Sequence, residues 1–471
     1  MRIKNLNINQ YKSLKNLNLD NLFNVNIFIG PNNSGKSNIL DGIESLFFPF
    51  DKSEFFADKK ADYSFEIELD EEAKKFFNTR AEILSAKRFG DAKRYFFDNA
   101  AVEDLKKIEI FFSERAVRFN SFLVDNIEKI RTDYADLKEN YNAEFKNLWQ
   151  IFHQYFPDIE EMISSEISDE TTQNIKARLK DGGKIVQFSR LGTGVRRIFV
   201  MMLYIFHPRY TLILMNEPEI HLHPAFIKKI ANMLRVNVKG EQVFITTHSP
   251  IFITPDCLHQ VFRVKKDKLQ NTEVYYFTKK DNINKNRLVQ EFNADNLEMF
   301  FADKVIVVEG VSDRILIRGL INKFYKGEKE IKVVSVSGKN NIDIYMRLME
   351  IFKIPYLILL DVDALYGLGV GVIREYLSAE NFKPFKIKRN KKFRSRRRRQ
   401  QLSGSALRQI EELKKHHIYI LPNGAIEDNY PRKYQRRDTK PLNALYAASQ
   451  ITSDDFYSPG MANLREVIEA L

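Results

Sequence analysis

The sequence predicts an α/β chain built on two successive parallel sheets. Three observations carry this. Apolar strand-like runs alternate with helical periodicities in the first part of the chain and again from 305 to 363. A glycine loop, Gly30-Pro31-Asn32-Asn33-Ser34-Gly35-Lys36-Ser37, sits between an apolar run and a helix. Carboxylates close two of the later apolar runs, where parallel strands would bring them to one sheet edge.

Taken in order, Ile3, Leu6 and Ile8 read as strand, and VNIFIG at 25–30 as a buried strand. The glycine turn and a helix from Asn38 to Leu46 follow. Phe65, Ile67 and Leu69 alternate with charged residues, as in a half-buried strand. Residues 80–175 are rich in Lys, Glu, Phe and Tyr, with Leu148, Ile151 and Tyr155 at helical spacing, and read as a helical insertion. Strand and helix then alternate through TLILM (211–215), a helix over 224–235, VFITT (243–247) and VYYF (274–277). A polar linker covers 279–300. Beyond it, VIVVEG (305–310), a helix over 312–324, KVVSVSG (332–338), a helix over 341–352 and YLILLDVD (356–363) repeat the alternation, and HIYILP (417–422) adds one strand.

The 471 residues are enough for two to four domains. The net charge is +12, yet eleven Lys or Arg fall within 383–399 and no acid does, so the basicity is local. One cysteine, Cys257, excludes a disulfide framework and a Cys-rich zinc ribbon. No apolar run reaches the ~18–20 residues of a membrane span, and the start is too polar for a signal peptide. The expected location is a reducing cytoplasm, with no membrane partner.

Gly30 to Ser37 fits G-x-x-x-x-G-K-S without a mismatch. Such a loop turns backbone N–H groups onto phosphate oxygens at a helix N-terminus. Gly30, Asn32, Asn33, Ser34, Gly35, Lys36, Ser37 and Asn38 form the expected cradle for ATP, with Lys36 on the β/γ-phosphates and the Ser37 hydroxyl on Mg²⁺. Downstream, Asn216-Glu217 end one strand and Thr246-Thr247-His248-Ser249 the next, where a carboxylate and a His would face the γ-phosphate. Leu191 to Arg197, including Gly194, precedes a helix and is placed to cap a phosphate on another subunit.

In the second α/β run, Glu309-Gly310 closes one strand, Asp313 follows, and Asp361-x-Asp363 closes another. Acids meeting at one edge repel unless a cation neutralises them, and hard oxygen ligands suit Mg²⁺ or Mn²⁺. Such an ion activates water at a phosphodiester. For Asp313 alone, a helix cap is the simpler reading. The basic run at 383–399 is read as facing nucleic acid, where it would bind phosphates with little sequence preference.

Over 1–278 the chain resembles the ABC-type ATPases of the SMC and RecF kind. That resemblance implies ATP sites shared between two copies, hence a homodimer or higher oligomer joined through the 80–175 insertion. It makes Glu217 the catalytic acid, His248 the switch histidine and Leu191–Arg197 the signature loop. Asn216 stands where that family carries Asp, and Gly192 where it carries Ser, which implies slow turnover. Residues 301–471 resemble the TOPRIM domain, with Ser337-Gly338-Lys339-Asn340 as its glycine turn. The two together resemble the OLD family of ATP-dependent endonucleases. The resemblance assigns metal binding to Glu309, Asp313, Asp361, Asp363 and Glu427 and a phosphate-side lysine, taken as Lys433. It implies a nucleotide-regulated, metal-dependent DNA endonuclease in bacterial antiphage defence, with room for a partner protein or RNA of that system. The alternative is an ATP-dependent DNA clamp or repair factor whose TOPRIM domain is not catalytic. A topoisomerase or a zinc-ribbon primase would need parts the chain lacks.

Overall fold

The computed structural model describes residues 1–471 apart from 21, 48–60, 91, 165–174, 239, 279–280, 282–288, 290–291, 337–340, 366–403 and 436–437. The expected glycine turn at 337–340, the basic run at 383–399 and much of the linker therefore lie outside the described residues. The chain divides into two compact units. One comprises Met1–Ile253 with Cys257–Thr278, the other Thr254–Asp256 with Lys279–Leu471. Among the described residues no helix is long and apolar enough to cross a membrane.

Among the described residues the first unit carries a twelve-stranded sheet and a separate antiparallel one of Ile159–Ser164, Ile175–Leu179 and Ile185–Gln187; the larger sheet holds the site. Its parallel part runs Val261–Lys266, Val25–Ile29, Gln242–Thr247, Leu212–Asn216 and Ala116–Phe119, side by side. Every residue of Val25–Ile29 is buried, as expected for a strand covered on both faces. The pairing sets Ile29 beside Thr247, and Thr246 beside Asn216. Three strands thus end at one edge, and the residues that follow them meet there. Beyond Thr272–Tyr276, antiparallel strands Leu14–Leu19, Arg2–Tyr11 and Asp62–Glu68 extend the sheet. A bulge between Ile3 and Asn5 explains why Ile3, Leu6 and Ile8, all buried, do not alternate strictly.

The reading of 80–175 as a helical insertion is corrected. Helices Leu105–Arg115, Ile127–Asn140 and Asn142–Tyr155 are present, but Ile83–Phe89, Ala92–Phe97 and Ala100–Ala101 continue the antiparallel sheet, and Ala116–Phe119 forms the far parallel edge. Leu84, Ala86, Arg88 and Tyr95 are the buried positions of a period-two pattern, with a charge at Arg88 on the inward side and apolar Ile83 and Phe89 on the other. The four residues of Ala116–Phe119 are too few to show a period.

His207, at the end of the Thr193–Phe206 helix, is fully buried, with Nε2 3.1 Å from Asp136 Oδ2. Burial holds its imidazole below the ordinary value, while Asp133 and Asp136 oppose that shift. The unfolded chain therefore binds this proton more readily than the folded one. Stability contributed here is present above about pH 6.5 and falls as the pH drops below it. Melting temperatures of the wild type and His207→Gln between pH 7.5 and 5.5 check this: the wild type is expected to lose several degrees more on acidification.

The second unit carries a four-stranded parallel sheet in the order Ile331–Ser335, Lys304–Val308, Tyr356–Asp361, Ile418–Leu421. Helix Val311–Phe324 packs on helix Lys440–Gln450 through Gly319, where an added Cβ would lie 2.5 Å from Ala448 Cβ. Glycine is needed there because the helices approach so closely. That approach fixes where the N-terminal Lys440 stands.

Candidate functional site

In the first unit, Gly30 and Gly35 take φ of 145° and 103°, conformations a side chain would strain. A Cβ on Gly35 would also lie 2.1 Å from Thr272 Oγ1. That hydroxyl donates to the Ser34 carbonyl (3.0 Å) and pairs with Ser13 Oγ (2.7 Å), which accepts from Asn38 Nδ2 (2.8 Å). Asn32 and Asn33 are exposed at the loop tip. Lys36 is buried, and its ammonium donates to the carbonyls of Gly30 and Pro31, both at 2.9 Å. Burial lowers it to about 8, against the opposing pull of Glu217 and Glu219.

The strand ends supply the rest. Asn216 Oδ1 accepts from Thr246 Oγ1 at 2.6 Å and from Ser37 Oγ at 3.5 Å. Glu217 has φ of 48°, unusual for a residue with a side chain. Its backbone is held by its N–H to Thr246 O (2.9 Å), by Ile220 N–H on its carbonyl (3.2 Å) and by Arg197 on the same carbonyl (3.5 Å). Strain fixed from several sides is typical of functional positions. The Glu217 carboxylate stands 3.4 Å from His248 Nε2. Burial, and then Lys36, keeps that imidazole below its ordinary value.

The structure therefore gathers Lys36, Ser37, Asn216, Glu217 and His248 as the spacing implied. Arg197, the last residue of that loop reading, is buried, donates to the Glu217 carbonyl and lies 5.2 Å over the Phe119 ring. Gly192 remains exposed, with open space where its Cβ would be, and Gly194 lies beside Leu222. Glu219 was missed. It follows Glu217 by two residues in Asn216-Glu217-Pro218-Glu219, and the second acid in that run was the available signal.

Asn216 accepts as an aspartate would but carries no charge. Asn216→Asp is expected to raise ATP turnover by roughly 10- to 150-fold, the value of a charge-assisted contact of ~1.5–3 kcal/mol. Steady-state phosphate release from both proteins checks it, and equal rates would refute the argument.

In the second unit, Glu309 follows the Lys304–Val308 strand, and its Oε1 accepts the Asp361 N–H at 3.1 Å. Asp313 Oδ2 accepts the Gly310 N–H at 2.9 Å and so caps its helix, as the simpler reading held. Burial raises Asp313 to about 6, with Glu427 adding to the shift. Asp361 is pushed to about 8, first by burial and then by Asp313, Glu309, Asp363 and Glu427. All five acids therefore share one neighbourhood at the ends of adjacent strands.

Lys433 is a correction. It pairs with Asp455 at 2.6 Å, outside this group. Among the described residues Lys440 is the cation that meets it, 3.2 Å from Glu427 Oε1, and it feels Asp361 and Asp313 as well. Its signal was weak: a Lys-Pro pair opening a helix. Among the described residues no three His, Cys, Asp or Glu side chains are already drawn together closely enough to grip one ion. The oxygen donors and their mutual repulsion nonetheless fit a hard divalent cation.

Comparison with known proteins agrees with both units. A family described as "AAA domain, putative AbiEii toxin, Type IV TA system" matches residues 25–254. One described as "Overcoming lysogenization defect protein-like, TOPRIM domain" matches 300–363. The chain is 27% identical over 161 residues to the OLD nuclease of Thermus scotoductus, covering 32% of this chain and 30% of that one. It is 24% identical over 254 residues to the Old nuclease of Escherichia phage P2 (48% and 43%). It is 26% identical over 270 residues to endonuclease GajA of Bacillus cereus (49% and 37%). The matched segments thus span less than half the length of each of these relatives.

Proposed function

We propose that this chain, which joins an AAA-type ATPase domain to an OLD-like TOPRIM domain, is a nucleotide-regulated endonuclease that cleaves DNA with a divalent metal. The observation that carries this is the convergence of Glu309, Asp313, Asp361, Asp363 and Glu427 at one parallel-sheet edge, with Asp361 raised to about 8 by burial and by the other four. Glu309, Asp361, Asp363 and Glu427 would hold Mg²⁺ or Mn²⁺, and Asp313 would brace the helix start beside them. A cation there would activate water and offset charge on the phosphodiester. Lys440 stands ready to meet a phosphate oxygen, and its contact with Glu427 keeps it at the acids.

In the first unit, Lys36 and the loop N–H groups would bind the triphosphate, Glu217 would orient the attacking water, and His248 would contact the γ-phosphate. DNA contact through 383–399, a homodimer and a role in antiphage defence belong to the same reading; the likeness to the OLD nucleases and endonuclease GajA supports the last. A second reading, a DNA clamp with a non-catalytic TOPRIM domain, has one observation behind it: no three potential ligands are already gathered at ion-gripping distance among the described residues.

Incubating purified protein with supercoiled plasmid separates the two. The endonuclease reading expects nicked or linear product with Mg²⁺ or Mn²⁺, none with EDTA, and a rate that changes when ATP is added. Intact plasmid under every metal and nucleotide condition would favour the clamp.

A further inference from the structure

We propose that Glu219 is a positioning residue for ATP hydrolysis, the joint through which one strand end sets the turn carrying His248. This rests on the ATPase reading above. Glu219 Oε1 accepts from Thr247 Oγ1 at 2.6 Å and from the His248 N–H at 2.8 Å. Thr247 Oγ1 in turn accepts from the Ser249 N–H at 2.9 Å. One carboxylate oxygen therefore fixes three consecutive residues beyond the Gln242–Thr247 strand. The ring of the middle one stands 3.4 Å from the Glu217 carboxylate. Glu217 and Glu219 leave the same strand end two residues apart. Any shift of that end moves the acid and the histidine together.

The other oxygen, Glu219 Oε2, is buried without a hydrogen-bond partner. Burial pushes the carboxyl up, and Glu217 adds a like charge nearby. A buried acceptor left unpaired is costly, so Oε2 adds nothing to the stability of this joint. The contacts made by Oε1 need an acceptor there rather than a charge. Glutamine keeps such an acceptor; leucine keeps the bulk and loses it.

The test compares wild type, Glu219→Gln and Glu219→Leu as full-length protein. kcat and KM for ATP are measured with Mg²⁺, and amide exchange at 247–249 is followed without nucleotide. Glu219→Leu is expected to lose at least about tenfold in kcat, keep KM within about threefold and exchange its amides at least about tenfold faster. Glu219→Gln should restore each value to within about threefold of wild type. If Glu219→Leu does not fold, Thr247→Val removes one of the two donors with little change of shape and should lower kcat by about threefold or more. Wild-type kcat in Glu219→Leu, or in Thr247→Val where that is the folded variant, overturns the proposal. So does a glutamine variant as slow as the leucine one, since charge would then be the requirement. A wild-type protein that turns over no ATP overturns the ATPase reading along with it, whereas turnover unaffected by these variants overturns the positioning role alone.

Discussion

Asp361→Ala is expected to abolish metal-dependent DNA cleavage, lowering it by at least about 100-fold, while ATP binding is unchanged. Removing even the outer partners of a metal site costs about 10–100-fold, and Asp361 sits at the centre of this one. Its backbone N–H holds Glu309, and its carboxyl feels Glu309, Asp313, Asp363 and Glu427. The same crowding predicts a second result. Without a cation, five acids at one edge destabilise the fold, so the variant should melt no lower than the wild type. Added Mn²⁺ should raise the wild-type melting temperature, since an ion that binds only the folded state stabilises it, and should raise that of the variant much less. Glu309→Ala should behave alike. Full cleavage by both variants in Mn²⁺ would remove the metal site from Glu309 and Asp361.

Much of this was legible because the decisive residues follow strands directly. An apolar run, a glycine turn and a helix start leave little freedom, and Gly30 to Ser37 fall where that order puts them. The same holds for Glu309 and Asp361, whose strands are neighbours. What depends on a distant partner was not legible. Lys433 lies six residues from Glu427, yet Asp455 captures it. Lys440 lies thirteen away and arrives because Gly319 lets its helix approach. Arg197 meets the carbonyl of Glu217, twenty residues further along the chain, a pairing no local pattern announces. The strands between 83 and 101 escaped notice because the charged Arg88 stands buried on the inward side while Ile83 and the exposed Phe89 stand on the other, which blurs the period-two signal.

Lys36→Met is expected to weaken ATP binding by about 100-fold, the loss of a charge-assisted contact of up to ~3 kcal/mol. The fold should survive, because the wild type already bears the cost of burying that ammonium, and methionine fills similar space without it. The pH dependence makes the prediction specific. Burial lowers Lys36 to about 8 in the nucleotide-free protein. Below that pH the group is charged and ready for phosphate oxygens. Above it, ATP must bind together with a proton, so affinity falls as pH rises, by up to about tenfold per unit. Bound phosphates favour the ammonium, so the nucleotide complex holds its proton to higher pH than the free protein. Titrating ATP at pH 7, 8 and 9 should therefore give a rising Kd for the wild type and a nearly flat one for Lys36→Met. Parallel profiles for the two proteins would place the titrating group elsewhere and remove Lys36 from the phosphate contact.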